Sequence, residues 1–181
     1  THIENVFVSG SVSGKNHIGG LVGTASGSSS SNNTSIKRSL STSNISGYSG
    51  VGGLVGSASY TDIISSYWAK DSSGQLDSAE RSEANSYVGL NLSALQCATA
   101  ENTDSSTGCV SVDGSGEGLS DAVILYKDWN STVWDFGEAP NTSQQLPGLK
   151  FGDRIMRDGD GDGILDSDDA WPNTYAAFLD L

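Results

Sequence analysis

Apolar and polar positions alternate over short runs in the first seventy-odd residues, as in Val6-Phe-Val-Ser-Gly-Ser-Val12, and Gly interrupts each run. A period of two marks strands with unlike faces, and Gly at this density leaves no room for a helix of useful length. The runs also return. Val12-Ser-Gly14 followed by Ile18-Gly-Gly-Leu-Val-Gly23 recurs as Ile45-Ser-Gly47 followed by Val51-Gly-Gly-Leu-Val-Gly56, at an offset of 33. Ile3-Glu-Asn-Val-Phe7 matches Ile36-Lys-Arg-Ser-Leu40 at the same offset. A third copy, Ile63-Ile-Ser-Ser-Tyr67, lies 27 further on and ends in Gly74. The missing six residues fall in the Ser-rich stretch near Gly27–Ser35, which reads as a loop insertion. Self-similarity at this period predicts a solenoid whose units lie on one another.

Within each unit the Gly-Gly-Leu-Val-Gly box predicts a strand between two corners. Leu21 or Val22 faces inward, and the flanking Gly residues let the backbone turn where a Cβ would clash. The predicted fold is all-β, a right-handed parallel β-helix, with a small antiparallel β-sandwich as the alternative. The box, preceded by Val/Ile-Ser-Gly and a degenerate strand start (Val6, Ser39, Ser66), resembles the GLUG motif over roughly residues 3–74. That resemblance implies a segment of a large bacterial surface protein, of the kind found among filamentous-haemagglutinin-like adhesins and IgA-peptidase-like proteins.

Three regions follow: residues 1–74 as repeats, 75–150 as a loop-rich capping segment, and 151–181 as a tail. In the second, Leu90-Asn-Leu-Ser-Ala-Leu-Gln96 predicts one or two helical turns capped by Asn91 or Ser93. Trp129, Trp134 and Phe136 precede Leu146-Pro-Gly-Leu149, which resembles the segment that closes a GLUG array. A β-helix end exposes apolar core and strand edges, so these aromatics are expected to cover it.

Composition adds 23 Gly, 9 Lys+Arg and 22 Asp+Glu in 181 residues, a net charge of −13. Such a chain repels phosphate backbones and anionic lipid, so neither nucleic-acid binding nor membrane insertion is expected. No run approaches the ~20 apolar residues of a membrane span. The chain opens and stops in mid-pattern and reads as part of something longer. Cys97 and Cys109 stand too far apart for a CxxC redox pair and have no His nearby for zinc. They form a disulfide closing a surface loop or remain reduced thiols. The extracellular look of the chain favours the disulfide, contributing roughly 3 kcal/mol on the loop-closure model.

The charge is uneven, and its spacing carries chemistry. Residues 158–169 hold six Asp and no base. Asp158, Asp160, Asp162, Asp166 and Asp169 occupy positions 1, 3, 5, 9 and 12 of a twelve-residue loop. Gly163 stands at position 6, where the loop must turn, and Ile164 at position 7 offers its carbonyl. Calcium is a hard cation that takes six to eight oxygens at about 2.3–2.6 Å, and short alternating carboxylates on a curled backbone converge on one point. Without a cation these charges repel one another. Magnesium fits an all-protein oxygen cage of this size less well. Position 12 departs from an EF-hand: Asp169 replaces the longer Glu, and no long helices flank the loop. Asp158 to Pro172 instead resembles a thrombospondin type 3 repeat of the bacterial form. The expected affinity is on the order of 10⁻⁴–10⁻³ M.

Catalytic signatures are missing. His2 and His17 are the two histidines, no Gly-x-Ser-x-Gly occurs, and Glu80, Glu83, Glu101, Glu117 and Glu138 are scattered. The chain is therefore read as non-enzymatic: a calcium-stabilised structural or adhesive segment, secreted or at the cell surface, with a glycan or protein ligand. A rival is a glycan-binding module of a secreted hydrolase, gripping sugar with Tyr48, Tyr60, Tyr67 and Trp68. A third is a filament subunit that self-associates end to end or through calcium-bridged tails.

Overall fold

The computed structural model describes residues 1–77, 79, 86–96, 110–111, 123–126, 128–136 and 146–172. Strands dominate. The first repeat contributes β1 (His2–Glu4), β2 (Phe7–Val8), β3 (Ser11–Ser13), β4 (Asn16–Gly19) and β5 (Val22–Ser26). The second gives β6 (Thr34–Lys37), β7 (Leu40–Ser41), β8 (Asn44–Ser46), β9 (Ser49–Gly52) and β10 (Val55–Ser59). The third opens with β11 (Thr61–Ala69) and runs into one helical turn, α1 (Lys70–Ser73). Beyond it lie β12 (Ser86–Leu90), a second turn α2 (Leu92–Leu95), and the short strands β13 (Val110–Ser111), β14 (Val123–Ile124), β15 (Trp134–Asp135), β16 (Gly148–Phe151) and β17 (Arg154–Met156). The fold is all-β apart from those two turns.

The sequence offset is the strand register. All five strands of the first repeat pair in parallel with their counterparts in the second, with Ile3 opposite Ile36, Phe7 opposite Leu40, Val12 opposite Ile45, Ile18 opposite Val51 and Val22 opposite Val55. The next step pairs Ile63 with Ile36 and Tyr67 with Leu40, the offset of 27. The six-residue difference is a surface loop, residues 27–33, closed by a bridge between Ser29 and Asn32; in the next repeat Tyr60 alone fills that gap. The antiparallel sandwich is therefore not what the repeats form. Among the described strands, antiparallel pairing is confined to β13–β14 and β15–β16–β17.

Identical positions in successive repeats build two apolar ladders. Ile3, Ile36 and Ile63 form one, joined by Val22 with Val55, Ala25 with Ala58, and Trp68. Phe7, Leu40 and Tyr67 form the other, and residues 125–149 cover it with Leu125, Tyr126, Trp129, Trp134, Phe136, Leu146 and Leu149. Period-two alternation separates the two, sending Tyr67 to one cluster and its neighbour Trp68 to the other. The covering segment touches both the first and the third repeat. The Trp134 indole N–H donates to Asn5 Oδ1 (3.2 Å), and that of Trp129 to the Ser65 carbonyl (2.9 Å).

The corners are also stacked. Asn5, Arg38 and Ser65 all have left-handed backbone, with φ of 56°, 48° and 46°. A non-Gly residue pays for that conformation, so something must hold it. Serine hydroxyls do. Ser39 Oγ accepts the Val6 N–H (3.3 Å) and donates to the Lys37 carbonyl, and Ser66 Oγ accepts the Ser39 N–H (3.2 Å) and donates to the Ile64 carbonyl. A second left-handed column is His17 over Gly50 (φ 57° and 66°). Gly20 and Gly53 stand in the bends between β4 and β5 and between β9 and β10, as expected of box glycines, but the last glycine of the box does a different job. A Cβ on Gly56 would lie 2.3–2.6 Å from His17 C, Ile18 N and Gly23 O, so the backbones of adjacent repeats meet there with no room for a side chain.

Candidate metal centre

The 158–169 segment leaves β17 and curls tightly, because its carboxylates bond to the backbone just ahead of them. Asp158 accepts from the Gly161 N–H (2.8 Å) and the Gly163 N–H (3.0 Å), Asp160 from Asp162 (3.2 Å), and Asp162 from Ile164 (2.8 Å). Such local bonds are what Asp offers in place of regular structure. Gly161 and Gly163 supply φ of 76° and 97°. The sharp turn expected at Gly163 is present, and a second one precedes it.

One carboxylate oxygen from each of Asp158, Asp160 and Asp162 lies within 4.8 Å of the others. Asp158 and Asp160 are buried and Asp162 is half-buried. Asp166 and Asp169 are not part of this cluster. Asp166 accepts the Gly159 N–H (2.6 Å) and its own N–H donates to the Arg157 carbonyl, so it folds back over the loop's start. Asp169 accepts the Trp171 N–H (2.8 Å). Ile164 is half-buried and placed by its N–H bond to Asp162. Asp168, at position 11, points away and pairs with Arg154 across 3.1 Å on an exposed surface, which makes it a weak tether.

Burial, with the charges of Asp160 and Asp162 adding to it, pushes the Asp158 carboxyl up to about 6 despite the opposing Gly163 and Gly161 N–H bonds. Burial also raises Asp166, opposed by the Gly159 N–H and Arg157 and reinforced by Asp160 and Asp169. The donor set is oxygen only and anionic, which suits a hard divalent cation and no soft metal. The arrangement can neutralise a cation.

Sequence reasoning missed how the loop is seated. Gln96, at the end of α2, donates its side-chain N–H to the Gly159 carbonyl. Asn91 is the N-cap of α2, as expected, but its side chain makes no capping bond; Asp71 of α1 accepts the Leu92 N–H with both oxygens instead (2.9 and 3.1 Å). A cleft of about 330 Å³ lies between these turns and the loop, lined by Asp71, Ser72, Leu92 and Asp160. Below the loop, Arg157 bonds to the Leu146 carbonyl (2.7 Å) and pairs with Asp135 (2.6 Å), fixing β15 and residue 146 to the loop's entry.

The aromatics proposed to grip sugar divide. Tyr48 is 91% exposed and Tyr60 46%, but Tyr67 and Trp68 are 2% exposed. Trp68 is enclosed by Gly53 and Gly89, and its indole N–H donates to the Gln75 carbonyl (2.9 Å). Tyr67 packs against Tyr126 and Trp129, and its hydroxyl accepts the Tyr126 N–H (3.2 Å). Neither is a platform. Cys97 and Cys109, with Glu80, Glu83, Glu101, Glu117 and Glu138, lie outside the described residues.

Compared with protein-family models, curated proteins and solved structures, the chain shows no match. Among the described residues no helix is long and apolar enough to cross a membrane.

Proposed function

We propose that this chain is a calcium-stabilised structural and adhesive segment of a large secreted or cell-surface repeat protein, without catalytic activity. Its repeats would wind as a right-handed parallel β-helix. Supporting this reading, five successive strands pair in parallel with their counterparts at one offset, as coils of a solenoid would. The observation that carries the calcium assignment is the convergence of Asp158, Asp160 and Asp162, two of them buried, on a loop with left-handed turns at Gly161 and Gly163. Burying carboxylates this close together is costly unless a cation balances them. The role is mechanical. A bound ion at ten times its Kd adds about 1.4 kcal/mol to the fold, and among the described residues 146–172 there is no helix for it to open.

Calorimetry tests the assignment. Calcium should release or absorb heat on binding to the wild type, and Asp160→Ala with Asp162→Ala should abolish the signal. An unchanged isotherm in the double variant places the ion elsewhere and removes the proposal.

A further inference from the structure

The loop is docked at two places far apart in sequence. A Cβ on Gly163 would lie 2.9 Å from Gly10 Cα, so the loop rests on the backbone of the first repeat between β2 and β3. Both glycines have left-handed backbone, with φ of 97° and 96°. On the other side, a Cβ on Gly161 would meet Leu92 Cδ2 at 3.1 Å and Ser72 Oγ at 3.2 Å, in the turns that follow the third repeat. Gln96 reaches the same loop at the Gly159 carbonyl, while its own N–H donates to the Leu92 carbonyl (2.9 Å).

We infer that the loop is a staple fastening the first repeat to the turns after the third, and that Gln96 is the positioning residue that seats it. The inference rests on calcium occupying the loop. Ordering by the cation is then shared by whatever the loop is packed against, and by linkage the docking contacts strengthen cation binding in return. Gln96 acts by presenting an N–H to Gly159, the residue between two of the clustered carboxylates, and so sets the path of the backbone there. Such support behind metal ligands is typically worth about ten- to a hundredfold in affinity.

Hydrogen exchange on the full chain, with calcium and with chelator, tests this beside calorimetry. Calcium should slow exchange about tenfold or more, not only in residues 158–169 but also around Gly10 and from Leu92 to Gln96. Gln96→Met, which keeps length and loses the donor, should keep its fold by circular dichroism, bind calcium about tenfold more weakly, and lose the slowing from Leu92 to Gln96. Gln96→Glu adds negative charge yet cannot donate, and should also bind more weakly than wild type. Protection confined to residues 158–169, a Gln96→Met variant that behaves as wild type, or tighter binding by Gln96→Glu overturns the staple while leaving the calcium assignment intact. No calcium uptake by the wild type overturns both.

Discussion

Replacing Gly56 by Ala adds one methyl group where three backbone atoms of the first repeat already stand. Its Cβ would sit 2.3 Å from His17 C, 2.4 Å from Ile18 N and 2.6 Å from Gly23 O. Ordinary contact begins near 3.4 Å, so β4 or β10 must move by about 1 Å, and no side chain is available to yield instead. Gly14 is the control. A Cβ there meets the end of Ile18, at 2.5 Å from Cδ1 and 3.5 Å from Cγ1, and the half-buried Ile18 can swing away. Neither glycine has positive φ, so the reduced freedom of the unfolded chain favours Ala by a similar ~0.4–1 kcal/mol at both. Overpacking against a close-packed interior costs typically about 1–3 kcal/mol, and rigid backbone places Gly56 at the upper end. Gly56→Ala should therefore lose about 2–2.5 kcal/mol net, and Gly14→Ala should stay within roughly 0.5 kcal/mol of wild type. In thermal unfolding at fixed calcium, the first corresponds to a fall of roughly 4–10 °C. In urea it should lower the midpoint without changing the slope. Equal losses in the two variants, or an undisturbed Gly56→Ala, would refute the claim that these glycines mark backbone contact between repeats.

Two further outcomes follow from burial. In chelator, Asp158 titrates at about 6 when folded and near 3.8 when unfolded, so the folded state holds the extra proton between those values. The contribution of Asp158 to stability should then be greatest below pH 4, fall by on the order of 2 kcal/mol as pH rises through 6, and stay lower above it; the same pH dependence of the urea midpoint in Asp158→Asn as in wild type would contradict this. Trp68→Ala should cost about 3–5 kcal/mol by leaving a void between Gly53 and Gly89, whereas Tyr48→Ser should leave the melting temperature unchanged, so only the latter is a clean probe of glycan binding in a pull-down.

The repeat offset was legible because a parallel ladder aligns like with like. Ile3, Ile36 and Ile63 had to share an environment, and the change from 33 to 27 located the loop near Gly27–Ser35, of which Thr34 and Ser35 belong to β6. The curl that brings Asp158, Asp160 and Asp162 together was legible for a similar reason, since each of these three bonds to backbone two to five residues ahead of itself. Left-handed backbone at Arg38 and Ser65 was not, because a serine in the adjacent repeat or the next position stabilises each corner, not the intrinsic preference of the residue. Tyr67 and Trp68 were misplaced for a related reason. Alternation says that one of them faces outward, but not that residues 125–149 return to cover that face. The seat of the acidic loop joins Gly10 to Gly163 and Gln96 to Gly159, and no periodicity encodes contacts of that range.

The excursion at residues 27–33 separates two quantities of a repeat protein, contour length and register. Gly27 N–H donates to the Ser59 carbonyl and Thr34 N–H to the Tyr60 carbonyl, so the chain leaves the sheet and rejoins it one rung apart from where a single residue suffices in the neighbouring repeat. Lengthening such an excursion adds only a slowly growing closure entropy, about 0.6 kcal/mol for each doubling. A lineage can therefore splice material between Ser29 and Asn32 without re-indexing a single ladder contact. The excursion and the paired frame that tolerates it occupy the same thirty-three residues.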